Sequence, residues 1–493
     1  MTVELLDEWK YKLSTVRIES QKYLKVSSFK NLAPGEATRA AYFTEIAPVL
    51  KQLGLSNPHE KSALTLEPTH PVLNSNLEKA FKRLKLNPSH TKLFKDAKLS
   101  LISLKMLRSY APDSDASKML NAGIDSPLYL LDPLYGFVFI PVQGRMSNHC
   151  FAIDLWGAHL ESMPKLLSQK LWKDRANSML SGGASAGRLL FKELLPEETD
   201  PLKLASPAEI IIDSEEELDE LVEKLRSLAQ RMPEVDLWFR GQSKDYVTPD
   251  RLELAKVGIA PYSNIQDSNL TPSLYRHYDS FTDNIDYFEK MTLDLAEWVF
   301  HAKKVTASNE INEQAPLING VSSVTSEGLR SYQHGLVLQQ YGAPSAYLDI
   351  TKDHNIAAWF ATHRCQNNEQ GKMEFTAYNP SNEQPEDMRT IFVFPLVKGV
   401  HPYLDLNSIL SESEALRAVR QKCGLLGGAG NLARNYCARY LGLKIRLGSN
   451  FQLSKPLRAS DLFPPECEDK VLKMLKEEGM DNQDRLFPVS ELA

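Results

Sequence analysis

Cysteine is scarce and unpatterned in this chain. Five residues, Cys150, Cys365, Cys423, Cys437 and Cys467, are scattered over 493 positions without a C-x-x-C pair. That excludes a disulfide framework and a zinc knuckle, and fits a reducing, intracellular compartment. Long apolar runs are missing as well: "GFVFIPV" is far too short to span a bilayer. The N-terminal "MTVELLDEWKYKL" is amphipathic and carries acids, unlike a signal peptide. A soluble, cytoplasmic protein without a membrane partner is expected. Positive charge is not in excess either, the formal net charge being -6. A general nucleic-acid coat is therefore not favoured, and the lysine-rich stretch from Lys79 to Lys98 reads as a solvated face. No H-E-x-x-H or other metal-ligand spacing occurs, so no metal is expected.

Two glycine-rich stretches lack the context that chemistry would need. "GGASAG" at 182–187 contains a literal G-x-S-x-G around Ser185, but a nucleophile elbow requires a preceding strand, and "LWKDRANSML" reads as helix. Arg188 follows where a phosphate-binding loop needs Lys-Ser or Lys-Thr. A flexible turn is the expectation. "GLLGGAGN" at 424–431 is read as a helix C-cap and loop.

What is present is ordinary globular composition, 42% hydrophobic and 24% charged, with length for more than one core. The fold class expected is α+β, in four parts. Residues 1–192 read as a mainly helical region, with helical patterns at "NSNLEKAFKRLKL" and "LSLISLKMLRSY" and a strand–turn–strand between Leu128 and Val142. Residues 193–207 are acidic and Pro-containing, as a linker would be. Residues 208–450 form a mixed sheet with flanking helices, and 451–493 an extension. The N-terminal region has no chemical signature and suits a protein partner.

The best-patterned stretch follows the linker. "AEIIID" reads as a strand, Ser214 and Glu217 as a capping box, and Leu218, Leu221, Val222, Leu225 and Leu228 as one helical stripe. "VDLWF" is the next strand, and "RGQ" sits at its end. Arg240 is always charged, and its planar fork suits a carboxylate or a phosphate. Gly241 permits a sharp turn or a close approach, and Gln242 adds a donor and an acceptor. Downstream, "AYLDI" reads as a strand and 354–362 as a helix capped by Thr351 or Asp353, which sets Asp349 beside a helix N-terminus, a natural anion site. Arg240 and Asp349 make either an internal ion pair or two walls of a ligand pocket.

The order "LWFRGQS", "LTPSLYRH", "HGLVLQQYGAPSAYLDITKDHNIAAWFATH", "IFVFPL" and "LRAVRQKCGLL" resembles the FRG domain, a family named for its Phe-Arg-Gly signature and widespread in bacterial and phage-related sequences. The resemblance spans about 205–430. Gln340, Tyr341, Gly342, Leu348, Asp349 and Thr351 match its central motif, whereas Ala346, Tyr347 and Ile350 depart from the expected Arg, Leu and Trp. It implies Arg240 and Asp349 as catalytic candidates, and Gly241, Gln242, Arg276, Gln340, Tyr341, Thr351 and Gln421 as ligand-binding candidates. The family carries no settled activity.

Two functions follow as expectations. One is a ligand-recognising sensor or effector component, in the setting of phage conflict. The other is an NAD- or nucleotide-handling enzyme similar to ADP-ribosyltransferases, with a phosphorylated small molecule or dinucleotide as its partner. There Arg240 holds phosphate, Gln242 and Gln421 orient the ribose, and Asp349 is the carboxylate nearest the reaction. The Ser-Thr-Ser and E-x-E elements of such enzymes are only imitated, by "SSVTS" at 322–326 and by Glu412 and Glu414.

Overall fold

The computed structural model describes residues 182–198, 206–232, 235–248, 268–276, 339–343, 347–378, 387–397, 403–409, 415–426 and 435–493, and the backbone of six strands before them. Those strands are β1 (Leu13–Ile18), β2 (Gln21–Val26), β3 (Ser100–Ile102), β4 (Tyr129–Asp132), β5 (Phe137–Pro141) and β6 (Cys150–Asp154). They form one sheet in the order β1-β2-β6-β5-β4-β3. The strand–turn–strand expected at 128–142 is the antiparallel pair β4–β5. Residues 100–102 pair with β4 and are strand, not helix. Leu99 and Leu101 alternate around Ser100, a pattern that serves either period, and a neighbouring strand decides between them. What is described before residue 155 is thus sheet, where the pattern predicts mostly helix. The helical stretch from Leu77 to Leu84 and the lysines of 79–98 lie outside the described residues.

The second sheet carries the site. Its strands are β7 (Ala208–Ile212), β8 (Val235–Gln242), β9 (Leu348–Thr351), β12 (Arg389–Val397), β13 (Tyr403–Asp405), β14 (Cys423–Leu426) and β15 (Leu443–Leu447), in the order β13-β14-β9-β8-β12-β15-β7. Only β15–β7 is parallel, so the sheet is mixed. A separate hairpin joins β10 (His363–Asn367) to β11 (Met373–Ala377). Strand β12, "RTIFVFPLV", is buried along its whole length, because helices cover the sheet and leave no polar face to alternate with.

Helix α1 (Gly182–Leu190) runs through the glycine-rich stretch expected as a turn. Its Ala186 and Leu190, with Phe191, enter the core of the second sheet. Gly187 is explained by contact: a Cβ there would lie 2.0 Å from the carbonyl oxygen of Gly442. At Gly187, tight packing rather than chain reversal excludes a side chain. Helix α2 (Glu215–Gln230) follows the pattern closely. The amide of Glu217 donates to Ser214 Oγ at 3.2 Å, and Glu217 Oε2 accepts from the Asp213 amide at 2.8 Å. The apolar stripe named above is buried, each such side chain stabilising the fold by about 1.5–3 kcal/mol relative to exposure.

Packing crosses both ends of the expected 208–450 unit. Helix α1 precedes the linker, and Phe451 belongs to the same core. Beyond it, Val471, Leu472 and Leu475 of the helix Lys470–Glu477 are buried. Ser490 N donates to Tyr341 O at 2.8 Å, and Ala493 N to Met373 O at 3.0 Å. The C-terminal residues are therefore part of the same body as the sheet. No helix among the described residues is long and apolar enough to cross a membrane.

Candidate functional site

Arg240, Gly241 and Gln242 are the last residues of β8, which runs on past the "VDLWF" read as strand. Arg240 is opposite Phe392 and Gln242 opposite Thr390 on β12. Helix α3 (His354–Thr362) explains Gly241: a Cβ there would fall 1.7 Å from the Ala357 carbonyl oxygen. Ala357, Ala358 and Ala361 present almost no side-chain bulk, and the helix backbone rests directly on the strand. Asp353 is the N-cap of α3, accepting from the Asn355 amide at 2.9 Å. Lys422 Nζ pairs with its other oxygen at 2.6 Å. The helix N-terminus expected as an anion site is thus occupied by the protein's own carboxylate.

Arg240 and Asp349 meet, but not as an ion pair. The Arg240 Nη1 donates to the backbone carbonyl of Asp349 at 2.7 Å. The Asp349 carboxylate turns to two amides instead, its Oδ1 accepting from Gln339 Nε2 at 2.7 Å and Gln340 Nε2 at 2.8 Å. Arg240 Nε is buried without a partner, and no hydrogen bond reaches Arg240 Nη2 or Asp349 Oδ2 among the described residues. Burial, reinforced by the nearby charge of Arg276 and opposed by Asp349, lowers the Arg240 pKa to about 10. The side chain stays cationic at neutral pH.

These groups border a cavity of about 270 Å³. Arg240, Gly241, Gln340, Asp349, Thr351 and Gln421 all line it, so six residues singled out from sequence converge. Thr351 Oγ1 donates to the Gln421 carbonyl at 2.8 Å, and Gln421 Nε2 to Leu462 O at 3.1 Å. Both are fixed by the scaffold. The lining also includes Phe360, Met373 and Phe463, which share one apolar cluster. Phe360 and Phe463 meet edge to face at 6.2 Å.

Three sequence candidates stand apart from the lining. Gln242 has its Oε1 buried without a partner. Arg276 Nε donates to Thr271 O at 2.8 Å, and its charge reaches the site only through space. Tyr341 donates its hydroxyl to Asp469, 2.8 Å and 3.0 Å from the two carboxylate oxygens, and its ring lies 4.8 Å from the Arg417 guanidinium carbon. It ties the C-terminal helix to the cavity floor. Glu412, Glu414 and "SSVTS" lie outside the described residues.

Pattern reading missed Gln339, Cys423, Phe360, Phe463 and Ser490. Cys423 follows the expected Gln421 by two positions in β14, where residues 424–426 are strand and not the predicted helix cap. Its thiol receives Gln340 Nε2 at 3.1 Å, and burial, together with Asp349, pushes its pKa well up. A protonated, enclosed thiol is a poor nucleophile. Ser185 lies within α1, and residues 155–181 just before that helix lie outside the described residues. No group of three or more His, Cys, Asp or Glu is placed to hold a metal among those residues. His354 instead pairs with Asp219 at 2.7 Å, and His363 stacks on Trp359 at 4.5 Å.

No family model matches the chain, and neither a curated protein nor a solved structure matches it at a significant level.

Proposed function

We propose that the chain is a ligand-recognising component of FRG type that holds the anionic group of a small molecule on Arg240. One observation carries this: a guanidinium at the wall of a cavity donates to a carbonyl and makes no ion pair with a carboxylate among the described residues. A desolvated cation whose neighbouring carboxylate is held by other side chains is costly, and a ligand anion lowers that cost. Asp349, steadied by Gln339 and Gln340, offers its second oxygen to a donor on the same ligand. A recognition role is favoured over turnover by the protonated, buried thiol and by Asp349 being the one carboxylate among the described lining residues.

An NAD-handling reading draws on the gathering of Arg240, Asp349 and Gln421 in one place. The cavity, at about 270 Å³, is below the range of about 300–1,000 Å³ usual for drug-sized ligands, and takes a fragment rather than a whole dinucleotide. Equilibrium binding of small anions to the wild type and to Arg240→Lys, which keeps charge but loses the fork, tests the proposal. Loss of binding with an unchanged melting temperature is expected. Equal binding by the variant overturns it, and nicotinamide release from NAD would favour the enzyme.

A further inference from the structure

We infer that the ligand is a small α-amino or α-hydroxy acid with an aromatic or branched apolar side chain, its carboxylate on Arg240 and its α-substituent donating to Asp349. The inference rests on the proposed anion-binding role of Arg240 and adds the class of molecule. Three features of the cavity set it.

Charge comes first. Arg240 and Asp349 both line the cavity, and each has an atom, Nη2 and Oδ2, that no hydrogen bond reaches among the described residues. A ligand that satisfies both carries an acceptor anion and a donor a bond or two away. Arg276 adds a second positive charge felt by both groups. Two cations and one carboxylate leave one positive charge, which a hydroxy-acid monoanion cancels, while a zwitterionic amino acid sets its carboxylate on Arg240 and its ammonium on Asp349. A phosphate monoester, with a charge of about -1.5 to -2, overshoots and crowds Asp349 with like charge.

Shape comes second. The lining combines these polar groups with Phe360, Met373 and Phe463, which belong to one apolar cluster. A ligand polar at one end and apolar at the other matches both kinds of lining at once. The edge-to-face pair Phe360–Phe463 also offers a ring or a branched chain close contact. Size is third. The volume of about 270 Å³ suits a single amino-acid-sized molecule, just under the drug-like range of about 300 Å³ upward.

Calorimetric titration of the full chain with L-phenylalanine, L-leucine, L-phenyllactate and adenosine 5′-monophosphate tests this. Saturable binding of at least one of the three acids is expected, with weakening of about thirtyfold or more in Arg240→Lys. Asp349→Asn is expected to weaken the amino acids more than phenyllactate, because an ammonium loses its counter-charge whereas a hydroxyl still finds an acceptor. Phe360→Ala, at a half-buried position, serves as a second variant and weakens all three. Binding of the nucleotide with none of the acids overturns the ligand class and leaves the anion role of Arg240 standing. Binding of neither, or acid binding indifferent to both Arg240→Lys and Asp349→Asn, overturns it outright.

Discussion

Arg240 donates to the backbone carbonyl of Asp349, while the Asp349 carboxylate is held by the amides of two consecutive glutamines. The two side chains are adjacent and yet discharge different duties. The first prediction concerns their coupling. Arg240→Ala leaves a carbonyl unpaired and costs about 1–3 kcal/mol, whereas Asp349→Asn keeps an acceptor for the glutamines and costs about 1 kcal/mol or less. Urea unfolding of the double variant should show no recovery over Arg240→Ala. A double variant more stable than that single one would mean that the side chains form an ion pair after all.

Gly241→Ala is expected to be severe. Its new Cβ would meet the Ala357 carbonyl at 1.7 Å, and backbone on both sides leaves nothing flexible to give way. Overpacking typically costs about 1–3 kcal/mol, and a clash with a helix backbone should reach or exceed the upper end. Thermal unfolding checks it. A melting temperature within a degree or so of wild type would show that α3 does not rest on β8.

Acid sensitivity should involve Asp353. Burial raises its pKa, but the hydrogen bond and charge of Lys422 and the Asn355 amide outweigh that and hold it below the ordinary carboxylate value. A depressed native pKa means that the stabilisation is whole above the unfolded value of about 3.9 and fades as pH falls through the native one. Asp353→Asn keeps the cap and should flatten the stability profile below about pH 4. Asp353→Ala loses the cap as well and should cost about 1 kcal/mol at neutral pH. Identical profiles for wild type and Asp353→Asn would contradict this.

Thiol chemistry gives an independent check on the cavity. Cys365 and Cys467 are exposed, whereas Cys423 and Cys437 are buried. Alkylation of the native protein at about pH 8 should modify the first two and spare the second two until denaturant is added. Rapid native labelling of Cys423, read by peptide mass mapping, would remove the reason for denying it a nucleophilic role.

Local signals were readable and long-range ones were not. Ser214, Glu217 and the stripe that ends at Leu228 define α2 locally, and Asp353 with the alanines after it does the same for α3. Each is decided by neighbours along the chain. Arg240 is legible as a site residue at a strand end, but the carbonyl that receives its guanidinium lies far along the chain and leaves no local signal. The helix through "GGASAG" depends on Gly442, far along the chain. Phe463 and Ser490 reach the cavity from a segment that composition alone presents as an appendage. Tertiary packing overrides propensity in each case.

The parallel pairing of β7 with β15 brings the earliest strand of the second sheet against its latest. Such a sheet cannot close during synthesis until the segment around Leu443–Leu447 has left the ribosome. Contacts of this sequence separation carry a high loop-closure cost and make assembly slow. Through that interval β7 offers an open edge with the apolar residues of "AEIII", a template for pairing with other chains. Refolding yield should therefore fall steeply as protein concentration rises, and fragments that stop short of β15 should aggregate rather than remain as smaller folded units.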